Sequence, residues 1–160
     1  MEAAAAMNGL EIRPMQPRDA KRVAELALEL GYERHAGEVR RWIEELEAAP
    51  REQAAFVACA GGEVVGWIEV AMERRLQYEP YALIGGLVVK DGFRGHGVGK
   101  RLCEEAERWG RDCGCRIIRV TSRSTREDTH RFYERDGYRR IKMSVVFEKP
   151  LAGNSPHPSK

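Results

Sequence analysis

The sequence predicts a mixed α/β fold, and three observations carry that reading. Short apolar alternations and longer helical periodicities succeed one another along residues 10–150, and glycine or proline falls between them. A length of 160 residues with 42% hydrophobic and 32% charged content suits one globular domain with a sizeable core. No internal repeat or linker-like stretch interrupts residues 10–150, so these are expected to form a single domain.

The elements follow in order. Leu10–Pro14 has the short alternation of a first strand. Asp19 is placed to cap a helix whose Val23, Leu26, Ala27 and Leu30 fall at helical spacing, and Gly31 ends it. Val39, Trp42, Ile43 and Leu46 repeat the pattern in a second helix that stops before Pro50. Ala54–Ala60 and Glu63–Met72, on either side of Gly61-Gly62, predict a hairpin. Leu83–Val89 is a mostly apolar run of the kind found in central strands. After a glycine-rich turn, Val98, Leu102, Ala106 and Trp109 line one stripe of a helix, and Arg116–Thr121 returns to strand alternation. Glu127–Arg135 predicts a short helix ending at Gly137, and Tyr138–Ile141 and Met143–Glu148 predict two closing strands. The expected order is β-α-α-β-β-β-α-β-α-β-β. Residues 1–9 read as a flexible extension with Met7 an alternative start, and residues 151–160 as a disordered, proline-containing tail.

Bulk properties narrow the function classes. No apolar run approaches the roughly 20 residues of a membrane-crossing helix, and the N-terminus lacks the basic region of a secretory signal. No membrane partner is expected, and the cytoplasm is the expected compartment. Cys59 and Cys103 fall in apolar patterns where small buried thiols are common. Cys113-Gly-Cys115 has no second ligand pair at a metal-binding spacing, so no metal is expected. The net charge of +2 is unevenly spread: residues 1–80 hold 15 acidic and 10 basic residues, residues 81–160 hold 10 and 17. The basic half suits a polyanionic ligand and the acidic half a cationic one. Its arginines are scattered and lack aromatic interleaving, so nucleic acid is not expected.

The most informative stretch is Leu87-Val-Val-Lys-Asp-Gly-Phe-Arg94-Gly95-His96-Gly97-Val98-Gly99-Lys100-Arg-Leu102. A strand runs into a glycine-rich turn with basic residues on both sides, and a helix starts at once. Backbone N–H groups at a helix N-terminus, aided by the helix dipole, hold anions, and glycines let the backbone come close. Two phosphate loops are excluded. A P-loop needs glycine where Arg94 stands and Ser or Thr where Arg101 stands; the dinucleotide pattern Gly-x-Gly-x-x-Gly fails in both frames, at Lys100 and at Leu102. What remains is Arg94-x-x-Gly97-x-Gly99.

A second constellation lies downstream, in Phe132-Tyr133-Glu-Arg-Asp-Gly137-Tyr138. Phe132 and Tyr133 point to different sides of a short helix, so one serves the core and the other a cleft. Phe132 and Tyr138 are expected in the core.

Together the two motifs resemble those of the GCN5-related N-acetyltransferases, over essentially residues 10–149. The loop is similar to that family's Gln/Arg-x-x-Gly-x-Gly/Ala pyrophosphate loop, and Phe-Tyr-x-x-x-Gly-Tyr to its C-terminal motif. The resemblance implies a mostly antiparallel central sheet flanked by helices and an acetyl-CoA donor. It implies that Arg94, Gly95, His96, Gly97, Val98, Gly99 and Lys100 hold the pyrophosphate. Leu87, Val88 and Val89 would bond the pantetheine arm like an added strand, splayed from their neighbour. Tyr133 would be the general acid that protonates the departing thiolate.

One position departs from the family pattern. Many relatives carry a glutamate on the strand before the loop, but Ala82-Leu-Ile-Gly85-Gly86-Leu87 has no carboxylate. Glu69, alternating with Trp67-Ile68 on the preceding strand, is the best substitute base; Glu73 and Glu79 are weaker, and a water relay is an alternative. Gly85-Gly86 reads as a bulge or a place of close ligand approach. His96 is read as a phosphate contact, and His35 and His130 carry no assignment. The expected acceptor is a primary amine of a small cationic molecule, aminoglycoside- or polyamine-like. A protein lysine or N-terminal amine, and a non-catalytic CoA-binding module, are the alternatives. An exposed C-terminal strand leaves a homodimer open.

Overall fold

The Gly61-Gly62 turn organises the sheet. Both glycines have positive φ, 59° and 79°, which a tight two-residue hairpin of this hand requires. They join β2 (Gln53–Ala60) to β3 (Glu63–Arg75), and β1 (Glu11–Pro14), β4 (Tyr78–Val89) and β5 (Ile118–Val120) complete a five-stranded sheet in the order β1-β2-β3-β4-β5. The first four strands are antiparallel, and β5 pairs parallel to β4 through Ala82–Ile118, Leu83–Arg119 and Ile84–Val120. The computed structural model describes residues 2–153, in two compact units, Met1–Thr121 and Ser122–Lys160.

In the first unit, helices cover both sheet faces. α2 (Ala20–Glu29) and α3 (Ala36–Ala48) bury Val23, Leu26, Val39, Ile43 and Leu46 against Ala55, Val57 and Cys59 of β2. Leu26, Ile43 and Val57 are at most 1% exposed, and each such side chain contributes about 1.5–3 kcal/mol by leaving water. α4 (Val98–Asp112) covers the other face with Val98, Leu102, Cys103 and Ala106. A methyl on Gly66 would meet Val98 and Leu102 at 3.3 Å, and one on Gly110 would meet Ala82 at 3.1 Å, so small residues set the helix–sheet distance.

Asp19 does not cap α2 through its side chain. Its carboxylate accepts two 2.8 Å bonds from the Arg13 guanidinium and one from the Gln16 N–H, tying β1 to the 3-10 turn Pro17–Asp19. Burial alone would raise its pKa, but those bonds outweigh it and hold the carboxyl below its ordinary value.

Other expectations are corrected. Residues Glu2–Met7, expected to be a flexible extension, form helix α1. Strand β4 begins five residues earlier than the apolar run, at Tyr78, because β3 supplies partners that far, Arg75 opposite Tyr78 and Glu73 opposite Tyr81; both tyrosine rings lie under the Arg119 guanidinium, at 5.3 and 4.4 Å. Strand β5 is shorter than Arg116–Thr121, since only three of its residues find partners on β4. In the second unit α5 (Glu127–Arg135) forms as expected, but Tyr138–Ile141 and Met143–Glu148 form no strand, because no neighbouring strand pairs with them. Of the expected disordered tail, residues 154–160 lie outside the described residues.

Candidate active site

The glycine loop is built by backbone conformation. Gly92, Gly95 and Gly97 have φ of 88°, 80° and 83°, values that cost any residue with a Cβ. Gly97 occupies the N-cap of α4, whose first turn holds no acidic residue and whose leading amides lack intrahelical acceptors. Arg94, Gly95, His96, Gly97 and Lys100 are exposed, while Val98 and Gly99 are buried where α4 meets the sheet. Arg94 donates from Nε to the Val89 carbonyl at 3.2 Å, which folds its cation back toward the strand end. Arg101 is withdrawn from the loop, since it donates to the Leu10 carbonyl at 2.8 Å. Lys90 is likewise occupied, by Glu63 at 3.1 Å.

The strand leading into this loop has a free edge. Among the described residues β5 pairs with β4 only as far as Ile84, whereas β3 follows β4 on its other side to Val89. Leu87 and Val89 therefore turn backbone groups to the β5 side with no strand to take them, and Arg94 caps the Val89 carbonyl; Val88 turns its own to β3. An extended chain laid there would gain hydrogen bonds as an added strand does, and it would end at the glycine loop.

Glu69 sits at a break in the same strand. Register runs Glu69–Gly86 and then Val70–Ile84, so Gly85 is the extra residue of a β-bulge. The Glu69 carboxylate lies over both glycines: a methyl on Gly85 would be 3.1 Å from its Oε1, and one on Gly86 3.3 Å. Burial raises the Glu69 pKa above the ordinary carboxylate value, and the nearby charge of Arg34 only partly opposes it. Glu69 shares its sheet face with Trp67, whose indole N–H is buried without a partner and whose ring would lie 3.1 Å from a methyl added at Gly86. The arrangement suits a group that holds a proton more readily than an ordinary carboxylate. Trp67 and Arg34 were not singled out from the sequence. Trp67 was legible as the residue two before Glu69, whereas Arg34, in the connection between α2 and α3, carried no signal. Glu73, by contrast, is engaged by Arg75 at 3.2 Å, and Glu79 is exposed.

In the second unit Tyr133 is the most buried of the three aromatics, 8% exposed, with Phe132 and Tyr138 edge-on to it at ring distances of 5.1 and 5.4 Å. Phe132 and Tyr138, expected in the core, are only half-buried, and Tyr133 is the buried one. The Tyr138 N–H closes onto the Tyr133 carbonyl at 3.0 Å through Gly137, φ 92°, and this turn gathers the trio. His130 donates from Nε2 to the Arg123 carbonyl, 2.8 Å away, and His96 stands in the open loop.

The chain is similar to known proteins. Residues 20–138 match the model of the acetyltransferase (GNAT) family, a stretch that spans both motifs. An aminoglycoside N(6')-acetyltransferase type 1 of Stenotrophomonas maltophilia is 32% identical over 147 residues, covering 88% of this chain and 93% of its own. An aminoalkylphosphonate N-acetyltransferase of Salmonella typhimurium is 36% identical over 84 residues, 52% of this chain and 54% of its own. Among solved structures, an aminoglycoside N-acetyltransferase in complex with CoA superposes with a TM-score of 0.78 at 21% identity, over 89% of this chain and 95% of the other, a likeness of fold. Matched along three quarters of its length, the chain belongs to the GCN5-related N-acetyltransferase family, enzymes that move an acetyl group from acetyl-CoA to an amine.

Proposed function

We propose that the acceptor is the primary amine of a small cationic molecule, and that Glu69 receives its proton. The observation that carries this reading is the half-buried Glu69 carboxylate over the Gly85 bulge, on the sheet face that α2 and α3 cover. A carboxylate in such a place attracts an ammonium and, with its raised pKa, can take a proton as the amine becomes nucleophilic. The excess of acidic residues over residues 1–80 draws a cation to the same half of the chain. The naming of the 32% identical relative for aminoglycosides supports that class of acceptor.

The donor side is assigned by the same logic. Leu87 and Val89 offer the free edge to the pantetheine arm, and a backbone N–H there can polarise the thioester carbonyl. The amides of Gly95, Gly97, Val98 and Gly99 face the pyrophosphate, with Arg94, His96 and Lys100 adding charge. When amide forms, the amine loses one proton and the CoA sulfur gains one. Tyr133 is the proposed donor of the second proton. A phenol of ordinary pKa about 10 protonates a thiolate whose thiol sits near 8.5 only with help from position.

The test is release of CoA thiol from acetyl-CoA across aminoglycosides, polyamines and lysine peptides. Turnover with small polycations and none with peptides is expected; turnover with peptides alone would overturn the acceptor assignment. Arg94→Glu should raise the acetyl-CoA KM about tenfold, some 1.4 kcal/mol of binding, and normal acetyl-CoA binding would refute the loop assignment. Tyr133→Phe should lower kcat while sparing both KM values, and an unchanged rate across pH would remove it as the acid.

A further inference from the structure

Three sulfur-bearing residues gather where α4 ends. Cys113 closes the helix, and Gly114 turns the chain with a φ of 87°. The Cys115 N–H then reaches back to the Gly110 carbonyl at 2.9 Å, a helix stop built on a left-handed turn residue. This stop sets the buried Cys115 thiol against β3, where its Sγ lies 3.3 Å from the Met72 Sδ. Cys113 is half-buried, stands in the same turn and shares neighbours with the pair. The Glu52 charge acts on the Cys113 thiol, and the Glu52 carbonyl accepts the Met72 N–H at 2.7 Å. The Glu52 carboxylate holds Arg74 at 3.1 Å, and the charge of Arg74 acts on Cys115. Met72 precedes Cys115 by 43 positions, so the Cys-Gly-Cys pair finds its further sulfur through folding and not through sequence spacing.

We propose that Met72, Cys113 and Cys115 form a binding site for a soft monovalent cation of the Cu(I) class. Thiolate and thioether sulfurs are the donors that such ions select. A structural Zn(II) takes four ligands, and among the described residues no group of three His, Cys, Asp or Glu is placed to hold a harder ion. Sulfurs about 2.3 Å from one trigonal centre stand about 4 Å apart, so the 3.3 Å pair must open slightly on binding. The flexible, unbranched Met72 side chain allows that. Of the charges around the thiols, Arg51 acts most on Cys113, ahead of Asp112 and Glu52, and Arg74 acts on Cys115, so each thiolate has a cation at hand. Burial pushes both thiols above their ordinary range, and both hold their protons at neutral pH. Binding therefore exchanges two S–H bonds for two sulfur–metal bonds and releases two protons, while the thioether adds a third bond and loses nothing. The site lies one α4 length, about 22 Å, from the glycine loop. The donor and acceptor assignments play no part in this inference.

The test is an anaerobic titration of the full chain with Cu(I) held by bicinchoninate as a competing chelator. One Cu(I) per chain should pass to the protein, with two protons released to a pH dye in weak buffer and a rise in melting temperature. Cys113→Ser, at a half-buried position, should weaken binding about 100-fold or more and release no more than one proton. Met72→Leu conserves volume, so the fold is kept; it should weaken binding about tenfold while two protons are still released. That split in proton count distinguishes a thioether ligand from a thiolate and is one that a packing role would not produce. Cys59→Ala, which removes a thiol elsewhere in the core, should leave affinity and proton count as they are. Ag(I), which undergoes no redox change, should give the same order among the variants. Failure of the chain to draw Cu(I) from the chelator would overturn the proposal. So would equal affinity in the Cys113→Ser and unmodified chains, or a loss in Cys59→Ala instead. Affinity unchanged in Met72→Leu would remove the thioether and with it the three-sulfur site.

Discussion

Two clusters of glycine flank the end of β4, and they are there for opposite reasons. In the loop, Gly92, Gly95 and Gly97 have left-handed φ, and a methyl added to any of them would meet nothing within 4 Å. In the bulge, Gly85 and Gly86 have no left-handed φ, and an added methyl would meet the Glu69 carboxylate or the Trp67 ring at 3.1 Å. The loop needs glycine for its backbone path, the bulge for room. The first shapes a cradle of amides for an anion; the second lets a carboxylate lie against the sheet. Substitutions in the two clusters should therefore separate donor from acceptor kinetics.

The largest effect is expected at the carboxylate that the bulge accommodates. Glu69→Gln should lower kcat about 100-fold or more, the scale of a positioned base, with the acetyl-CoA KM unchanged. The wild-type kcat/KM should fall as pH drops through the raised Glu69 pKa, and this limb should vanish in the variant. The same shift fixes the sign for stability. A carboxyl whose folded pKa lies above its unfolded value binds extra protons in the folded state, so stability falls as pH rises through that window. Glu69→Gln should thus melt higher than wild type at neutral pH. A persisting acidic limb would show that water or another group takes the proton.

Next in size is Gly85→Ala. The atom it would crowd is the tip of a flexible side chain, so the carboxylate can swing away and the melting temperature should barely move. The swing displaces the proposed base, and kcat should fall about tenfold, since small misplacements at a reacting centre are costly. A rise in acetyl-CoA KM instead would break the division between the clusters. Gly97→Ala tests the other side. Left-handed φ costs a residue with a Cβ about 1–2 kcal/mol, so the loop should rearrange, raising acetyl-CoA KM several-fold and leaving the acidic pH limb in place.

The division also explains what the sequence could convey. Positive φ leaves a trace in composition, because few residues but glycine adopt it, and the loop and the Gly61-Gly62 turn were both legible. Helices with apolar stripes were equally plain, down to the bounds of Glu127–Arg135. The bulge was legible as an oddity, two glycines in an apolar strand, but what filled the space depended on the β3–β4 register, which no local pattern fixes. Arg34 reaches Glu69 through tertiary folding alone. The closing strands failed for a related reason: Met143–Glu148 has the alternation of a strand, but a strand also needs a neighbour, and periodicity does not supply one. Burial of Tyr133 over Phe132 was hidden too, since adjacent helical positions were told apart by face but not by which face turns inward.

The smallest effect, and the finest division, is expected at Gly86. A methyl there would press on two ring carbons of Trp67 at 3.1 Å, and an indole cannot swing away as a carboxylate can. The ring must shift by a few tenths of an ångström, taking with it the buried N–H that has no partner. Gly86→Ala should therefore change kcat only about twofold to threefold while altering the acceptor KM and the tryptophan emission, with acetyl-CoA KM untouched. Trp42 and Trp109 also emit, so the emission change counts only if it disappears in a Trp67→Phe background. If it does, Trp67 reports on the acceptor side of the bulge. If emission stays constant while acetyl-CoA KM rises, Gly86 belongs functionally with the loop, and the room it leaves serves the pantetheine arm along Leu87–Val89 rather than the amine.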